Sequence, residues 1–303
     1  MPASTTVVTG ASTGIGRAVA VRQARAGDRV WALVRDVARS ADLTEQAAAE
    51  DLDLTVVRGD VTDQASVDEA FGQILSDGAR VDRLVTNAGV FYGSTLEGQS
   101  IEEIRDVFEV NYFGAIRCVQ HVLPGMRAAG SGVVCAVSSN SAQAIFPSWT
   151  AYAGSKAALE ASLESIAMEV AALGIRVAIV QPGSTLTAMR GKIPPRANPP
   201  AYADTLTRYR TLIAADRNES MAPDDVAQAI ERVLTDPDTS FRTRVGADAV
   251  RNIALRQSVS DDTWVRLFGA ATDDEFYQQW ASLSGAPDPR DVLDETLLDP
   301  TAR

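Results

Sequence analysis

The sequence is poor in the residues that carry metal and thiol chemistry. Its 303 residues include one histidine and two cysteines. A single histidine excludes metal sites built from a histidine pair and leaves one candidate for a His-dependent triad. Cys118 and Cys135 lie in apolar stretches, which favours reduced core cysteines of a cytoplasmic protein. His121 also lies in an apolar helical run, so we interpret it as a packing residue and expect no metal site.

Positive charge and long apolar runs are also scarce. Lysine and arginine total 28 against 40 acidic residues, a formal net charge of −12. This charge opposes binding to nucleic acid and to anionic membranes. No apolar run approaches the ~20 residues that span a bilayer, and Met1 to Thr6 is too short and polar for a signal sequence. We therefore expect a cytoplasmic protein whose partners include neither nucleic acid nor a membrane.

Short β-rich runs alternate with helical patterns as far as about residue 246. The runs are mostly continuous Val, Ile, Leu and Ala, which is typical of strands covered on both faces. This alternation predicts an α/β fold, a doubly wound parallel β-sheet (Rossmann fold) with helices on both faces. The predicted strands are Thr5–Val8, Arg29–Val34, Leu54–Val57, Arg83–Val85, Gly132–Val137, Arg176–Val180 and Arg242–Val245. The clearest predicted helices are Ile15–Arg25, Ser66–Leu75, Ile101–Arg127 and Tyr152–Leu173.

Two regions depart from this alternation. Residues 188–221 hold a proline-rich stretch and a helix-like run, Asp204–Ala215, which predicts an insertion over a binding site. We expect residues 1–250 to form the sheet domain, and residues 251–303 to be a helical C-terminal extension and tail rather than an independent domain. The aromatic residues of the extension are expected to pack on the domain or on a partner subunit; they are Trp264, Phe268, Phe276, Tyr277 and Trp280.

A glycine-rich turn directly follows the first predicted strand and opens the first helix. Glycine adopts positive φ and lets the backbone approach a pyrophosphate, while the helix N-terminus offers unpaired N–H groups. A glycine-rich turn alone is also a plain strand-to-helix connection, but between a Val-rich strand and a helix it indicates a dinucleotide site. The predicted binding residues of this turn are Gly10, Ser12, Thr13, Gly14, Ile15 and Gly16.

The end of the second strand indicates which dinucleotide binds. An acidic residue there binds the adenosine ribose of NAD and repels a 2′-phosphate, but this chain has neutral Val34 followed by Arg35. The planar, permanently charged guanidinium of Arg35 suits a phosphate, so we predict NADP(H) over NAD(H). Asp36 is the competing feature, because its carboxylate would suit the ribose instead. Further adenosine contacts are predicted from Asp60, Val61, Asn87, Ala88 and Gly89, although capping of the next helix explains Asp60 equally well.

A catalytic group is predicted where the fifth strand meets the following helix. Tyr152 and Lys156 are four residues apart and share one helical face, and Ser139 ends the strand. An unperturbed tyrosine has a pKa of about 10, and lowering it by about three units takes roughly 4 kcal/mol. A neighbouring ammonium favours the phenolate, which makes Tyr152 the predicted general acid/base. Ser139 is expected to hydrogen-bond the substrate oxygen.

In this combination the sequence resembles the short-chain dehydrogenase/reductase (SDR) family, in its Thr-Gly-x-x-x-Gly-x-Gly branch, over about residues 4 to 246. The resemblance implies that Ser139, Tyr152 and Lys156 are catalytic and that Lys156 also binds the nicotinamide ribose. It implies that the backbone of Asn111 helps to hold a water in a proton relay to Lys156. Contacts to the nicotinamide side are implied for Pro182, Gly183, Thr185 and Thr187. Thr86 is a departure, since the family usually has asparagine there.

The resemblance implies an NADP(H)-dependent oxidoreductase that reduces a carbonyl or oxidises a secondary alcohol by hydride transfer. A non-catalytic NADP-binding regulatory protein and an SDR-type isomerase or lyase are the alternatives; the intact Tyr/Lys pair argues against the first and the glycine spacing against the second. In families of this kind the helices that carry Asn111 and Tyr152 form the subunit interface, so the resemblance also implies a homodimer or homotetramer.

A bulky, apolar carbonyl or alcohol substrate is expected, because aromatic residues lie in the loops near Ser139 and Tyr152. The expected lining residues are Phe91, Tyr92, Ser141, Phe146 and Trp149. An anionic substrate is the competing possibility, since the insertion also contains Arg190, Lys192 and Arg196.

Overall fold

The chain folds around one parallel sheet. The structure is a computed structural model that describes residues 4–76, 80–187, 189, 198–217 and 220–292. The strands are β1 (Thr5–Thr9), β2 (Arg29–Val34), β3 (Leu54–Arg58), β4 (Arg83–Thr86), β5 (Gly132–Val137), β6 (Ile175–Pro182) and β7 (Arg242–Val245). Every neighbouring pair is parallel, in the order β3-β2-β1-β4-β5-β6-β7, so the strand order reverses between β1 and β4.

Helices cover both faces of this sheet. They are α1 (Gly14–Arg25), α2 (Ala41–Ala49), α3 (Gln64–Ser76), α4 (Ile101–Phe108), α5 (Gly114–Ala129), α6 (Thr150–Val170), α7 (Ala203–Arg217), α8 (Pro223–Thr235), α9 (Ala247–Ser258), α10 (Asp261–Leu267) and α11 (Asp273–Ser284). No helix within the described ranges is long and apolar enough to cross a membrane.

Two hydrophobic clusters form because successive strand residues point to opposite faces. Val7 packs in a cluster with α3, α5 and α6, whereas Val8 packs in a cluster with α1, α2 and α8. Both are fully buried. The doubly wound Rossmann-like fold predicted from the sequence is therefore confirmed.

One predicted helix is divided in the structure. In place of a continuous helix over Ile101–Arg127, a π-helical turn at Glu109–Phe113 separates α4 from α5. The extra residue in this turn accompanies an inward-facing Asn111, whose amide accepts from Val90 N at 2.8 Å and donates to Val90 O at 3.0 Å. A periodic apolar pattern does not reveal such a turn, because it inserts one residue without interrupting the helix.

The cysteines and the histidine are packing residues. Cys118 and Cys135 are free and buried, and burial raises the pKa of both thiols to about 12. His121 stacks on Phe71 with ring centroids 4.9 Å apart and bonds Asp68 at 2.8 Å. None of the three is placed to supply a nucleophile or a base to the cleft described below.

The C-terminal extension packs on the sheet domain through a third, aromatic cluster. Trp264, Phe276 and Trp280 lie in it together with Phe146, which precedes α6. Polar contacts join the same parts: Trp264 Nε1 donates to Ile145 O at 3.0 Å. From these contacts we propose that the described part of the extension, 251–292, folds with the sheet domain rather than as a separate unit.

The described part of the 188–221 insertion contacts the C-terminal extension. Arg208 of α7 is buried and donates to the Asp273 carboxylate at 2.7 Å and to Ala270 O at 2.8 Å. Its guanidinium also lies 5.5 Å from the Phe276 ring centroid. These contacts connect α7 to the segment that leads into α11.

Truncation of the aromatic cluster tests this proposal. Phe276 is 0% exposed, so Phe276→Ala should lower the free energy of unfolding by about 3–5 kcal/mol. Val265→Ala is the control, because Val265 belongs to the same extension but is 71% exposed. Urea unfolding followed by far-UV circular dichroism measures both. A Phe276→Ala protein as stable as the control would mean that the extension does not fold with the domain.

Candidate active site

A cleft of about 830 Å³ lies at the carboxyl ends of the strands. Its lining includes residues that follow each of the seven strands, β1 through β7. In an open parallel sheet this is where ligands bind, beside the point where strand order reverses. Within the described residues, no group of three or more His, Cys, Asp or Glu side chains is placed to hold a metal ion.

The glycine-rich turn after β1 forms one end of the cleft. Gly10 and Gly14 have φ of +65° and +60°, and a Cβ on Gly10 would lie 2.7 Å from Ala88 Cα. Thr13, the residue before α1, makes no side-chain capping bond, and no acidic residue occupies the first turn of α1. The first N–H groups of α1 therefore remain available to an anion. Gly16 does not line the cleft.

Asn87 holds the glycine-rich turn from below. Its side-chain amide donates to Thr9 O at 3.1 Å and to Gly10 O at 3.2 Å. Thr9 Oγ1 in return accepts from the backbone of Asn87 and Ala88. Asn87, Ala88 and Gly89 line the cleft, but the Asn87 side chain acts on the turn. Thr86, the departure from the family pattern, is buried in β4.

Two arginines line the cleft after β2. Arg35 is exposed and makes no ion pair with any described residue. Asp36 accepts from Arg39 N at 3.3 Å and pairs with its guanidinium at 3.3 Å. Asp36, the competing feature in the sequence, therefore faces Arg39. The sequence reasoning missed Arg39, although its position one turn after Asp36 was a usable signal.

The Asp60 carboxylate shapes the turn that follows β3. Asp60 Oδ1 accepts from Thr62 N at 3.0 Å and Thr62 Oγ1 at 2.8 Å. Asp63, just before α3, makes a capping contact to Ala65 N at 3.1 Å. Asp60 and Val61 both line the cleft, so Asp60 shapes this part of the wall while Asp63 serves the helix.

Ser139, Tyr152 and Lys156 meet on the wall formed by β5 and α6. Lys156 Nζ donates to Val137 O at 2.8 Å and lies 5.9 Å from the Tyr152 ring centroid. Burial lowers the pKa of Lys156 to about 8, and the negative charge of Glu160 opposes that shift. The amine is thus mainly charged at neutral pH. Ser139 Oγ accepts from Ser141 N at 3.2 Å.

The Tyr152 ring is held by aromatic neighbours. Phe91 and Trp149 contact it edge-on, with centroids 5.1 and 5.5 Å away. All three rings line the cleft, together with Tyr92 and Phe146. Ser141 is the exception among the expected substrate residues, because it does not line the cleft and only its backbone meets Ser139. Arg190, Lys192 and Arg196 lie outside the described residues.

Asn111 does not line the cleft. It is 1% exposed, and besides Val90 it donates to Ser155 Oγ at 3.0 Å. Ser155 Oγ in turn donates to Tyr152 O at 2.7 Å. Asn111 thus joins the loop after β4 to the N-terminal part of α6.

The segment after β6 forms the opposite wall. Pro182, Gly183, Thr185 and Thr187 all line the cleft. A Cβ on Gly14 would lie 3.2 Å from Thr187 Cγ2, so this segment reaches the glycine-rich turn. Asp248 of α9, which sequence reasoning missed, fixes the segment by accepting from Ser184 N at 2.6 Å.

Asp216 of α7 and Asn252 of α9 also line the cleft, and sequence reasoning missed both because they come from late in the chain. Asp216 of α7 accepts from Arg251 and from Asn252 Nδ2, the latter at 3.1 Å. Burial raises the pKa of Asp216, and the Arg251 charge opposes the shift. Nothing in the sequence indicates that α7 and α9 meet at the cleft.

Known proteins match the chain over most of its length. A family model described as short chain dehydrogenase matches residues 4–198. Retinol dehydrogenase 8 of Bos taurus is 35% identical, covering 83% of this chain and 84% of its own. A short-chain dehydrogenase structure from Streptomyces avermitilis is 35% identical, with a TM-score of 0.76, and the match covers 85% of this chain and 93% of that one. An alcohol dehydrogenase from Thermococcus sibiricus, complexed with 5-hydroxy-NADP, is 26% identical with a TM-score of 0.67, over 80% of this chain and 96% of that one.

The close approach of the glycine-rich turn to Ala88 can be tested without a ligand. Gly10→Ala should lower the free energy of unfolding by about 1–3 kcal/mol, because it adds a Cβ at positive φ against backbone. The control Gly72→Ala lies in α3 with open space around it, and should raise stability by up to about 1 kcal/mol. Chemical denaturation compares the two. Equal stabilities for wild type and Gly10→Ala would contradict the close approach.

Proposed function

The chain belongs to the short-chain dehydrogenase family, and on that premise we propose that it is an NADP(H)-dependent oxidoreductase with Tyr152 as general acid/base. It reduces a carbonyl group or oxidises a secondary alcohol. The observation that carries the proposal is the buried Lys156 ammonium one turn from Tyr152, on the wall of the same cleft as the glycine-rich turn. The intact Tyr/Lys pair favours an enzyme over a non-catalytic NADP-binding protein.

The residues at the glycine-rich end fit a dinucleotide. The backbone approaches closely at Gly10, and the uncapped N-terminus of α1 offers N–H donors to a pyrophosphate. Asn87, Ala88 and Gly89 would lie along the adenosine, and Pro182 to Thr187 along the nicotinamide. Bound there, the nicotinamide supplies the hydride in reduction or accepts it in oxidation.

Proton transfer falls to the wall of β5 and α6. In reduction Tyr152 gives its phenolic proton to the substrate oxygen, and in oxidation it takes the hydroxyl proton. The Lys156 ammonium stabilises the phenolate form of Tyr152 between these steps. Ser139 hydrogen-bonds the substrate oxygen as negative charge develops on it. Asn111 positions the start of α6 through its contacts to Val90 and Ser155. Its backbone would help to hold a water in a proton relay to Lys156.

Preference for NADP(H) is supported by the charges after β2. Arg35 has no acidic partner among the described residues, and Arg39 engages the neighbouring Asp36. A 2′-phosphate would therefore meet Arg35 without repulsion from an unpaired carboxylate. The related alcohol dehydrogenase complexed with 5-hydroxy-NADP agrees with this preference.

A bulky, apolar substrate is supported by the aromatic wall around Tyr152. Phe91, Phe146 and Trp149 line the cleft. Such a wall favours apolar carbonyl compounds over small hydroxy acids. The similar retinol dehydrogenase is named for an apolar alcohol, which agrees with this substrate class.

Location and assembly complete the proposal. Two free, buried cysteines suit the reducing cytoplasm. A homodimer or homotetramer would form through the outer faces of α5 and α6. Phe113, just before α5, and Met168 on α6 are 47% and 73% exposed and would be covered there.

Removal of the phenol oxygen tests the proposed chemistry. Tyr152→Phe should lower kcat by about 10²–10⁴-fold, because the general acid/base is lost, while NADPH binding persists. Tyr112→Phe is the matched control, since its hydroxyl bonds Ser162 away from the cleft. Turnover is followed by NADPH absorbance over a panel of carbonyl compounds, and binding by NADPH fluorescence. A Tyr152→Phe enzyme as fast as Tyr112→Phe would refute the assignment.

Neutralisation of one arginine tests the cofactor preference. Arg35→Gln should lower kcat/KM for NADPH by about 10–100-fold, equivalent to about 1.4–2.8 kcal/mol of charge-assisted hydrogen bonding, and leave NADH nearly unchanged. Arg266→Gln removes another exposed positive charge, on α10, and serves as the control. Comparable losses with NADPH and NADH, or a wild type that prefers NADH, would speak against NADP(H).

A further inference from the structure

Helix α6 carries a third charged or polar group in line with Tyr152 and Lys156. Glu160 follows Lys156 by four residues, so the three side chains share one face of the helix. Glu160 is only 4% exposed, although a buried carboxylate is costly unless it is paired and hydrogen-bonded. Its partners therefore need to be accounted for.

The Glu160 carboxylate joins three strands to α6. Ser138 Oγ of the β5 end donates to it at 2.6 Å, and Gln181 Nε2 of β6 donates at 2.9 and 3.1 Å to its two oxygens. Arg242 Nε of β7 donates at 3.0 Å. The partners of Glu160 thus directly precede two groups of the active site, because Ser138 adjoins Ser139 and Gln181 adjoins Pro182.

Lys156 and Glu160 bind consecutive residues at the carboxyl end of β5. The Lys156 amine binds the Val137 carbonyl, and one helical turn later Glu160 binds the next residue, Ser138. The Ser138 side chain is turned to α6, and the next residue, Ser139, lines the cleft with its hydroxyl accepting from Ser141 N at 3.2 Å. The orientation of Ser139 relative to Tyr152 is therefore set from two points on one helix.

Glu160 also acts on Lys156 by charge. Burial lowers the pKa of Lys156, and the Glu160 carboxylate is the group that raises it again. The charged groups around Glu160 are Lys156 and Glu164 on α6 and Arg242 on β7; Ser138 of β5 and Gln181 of β6 are neutral. Arg242 is shared between Glu160 and Glu164, and it partly offsets the field of Glu160 at Lys156.

We propose that Glu160 is a positioning residue of this active site, which holds the Ser139 and Pro182 ends of two strands against α6 and places a negative charge beside the Lys156 amine. This rests on the proposed function, since it concerns the same proton-transfer wall. A purely structural role would make Glu160 a buried ion-pair partner whose loss changes stability and nothing in the chemistry.

Removal of the charge alone separates the two roles. In Glu160→Gln the Lys156 ammonium loses its negative neighbour and gives up its proton at lower pH. The alkaline limb of the kcat profile for carbonyl reduction should therefore move to lower pH by about one unit. The value of kcat should fall about twofold at neutral pH and about tenfold on the alkaline limb, while KM for the carbonyl changes less.

Glu164→Gln is the matched control. Like Glu160, Glu164 lies on α6 and pairs with Arg242, but 54% of the Glu164 side chain is accessible to solvent. Its kcat and pH profile should equal those of wild type. An equal loss in both variants, or an unchanged profile in Glu160→Gln, would overturn the proposal.

Arg242→Gln should shift the alkaline limb in the opposite direction from Glu160→Gln. This variant tests the proposal even if Glu160→Gln fails to fold. Without the Arg242 charge, the field of Glu160 at Lys156 is stronger, so the alkaline limb should move to higher pH. A structural role predicts lower stability for this variant and no upward shift. An unmoved or lowered limb would therefore refute the electrostatic part of the proposal.

A binding measurement keeps this test independent of turnover. The Kd for NADPH is measured across pH for wild type and the three variants, because Lys156 is proposed to bind the nicotinamide ribose. The alkaline limb of the Kd curve should move to lower pH in Glu160→Gln, to higher pH in Arg242→Gln, and stay unchanged in Glu164→Gln, as predicted for kcat. A wild type that binds NADPH but reduces no carbonyl would refute the proposed function, while the shifts in Kd would still decide the role of Glu160.

Discussion

The burial of one ammonium group constrains the rest of the site. Lys156 is 4% exposed, and an isolated charge in such a place would be strongly unfavourable. It is tolerated because the last carbonyl of β5, on Val137, accepts from it at 2.8 Å and because Glu160 lies one turn further along α6. The requirement for both partners fixes the position of α6 along β5. Tyr152, one turn before Lys156, and Ser139, two residues after Val137, then both line the cleft.

A second constraint, at the glycine-rich turn, is steric rather than electrostatic. The turn after β1 passes so close to Ala88 that only glycine fits at Gly10, and Asn87 holds its carbonyls. The two strands that meet here, β1 and β4, are neighbours because strand order reverses between them. The fold thus supplies a tight backbone cradle at one end of the cleft and a buried cation at the other, and the cleft joins them.

The sequence predicted features whose signal is local. Continuous apolar runs marked the strands, and the spacing of Tyr152 and Lys156 marked a helical face. It did not predict features that depend on meetings between distant elements: Asp216 and Asn252 reach the cleft only because α7 packs beside α9. Glu160 reads as an ordinary surface residue of a helix until β6 and β7 are placed against it. One usable hint was present, since an acidic residue four positions after the predicted catalytic lysine lies on the same face of the helix.

The groups proposed for the chemistry and the aromatic wall proposed for the substrate both come from residues 4–198, the part matched by the family model, but the wall is also packed by the C-terminal extension. Phe146 lines the cleft on one side and packs on Trp264 and Trp280 of the extension on the other, with centroids 5.7 and 6.1 Å away. The position of Phe146, and with it the shape of the wall proposed for the substrate, therefore depends on residues of the C-terminal extension. A change in the extension would therefore alter the shape of this wall without touching Tyr152, Lys156 or Ser139, the groups proposed for proton transfer.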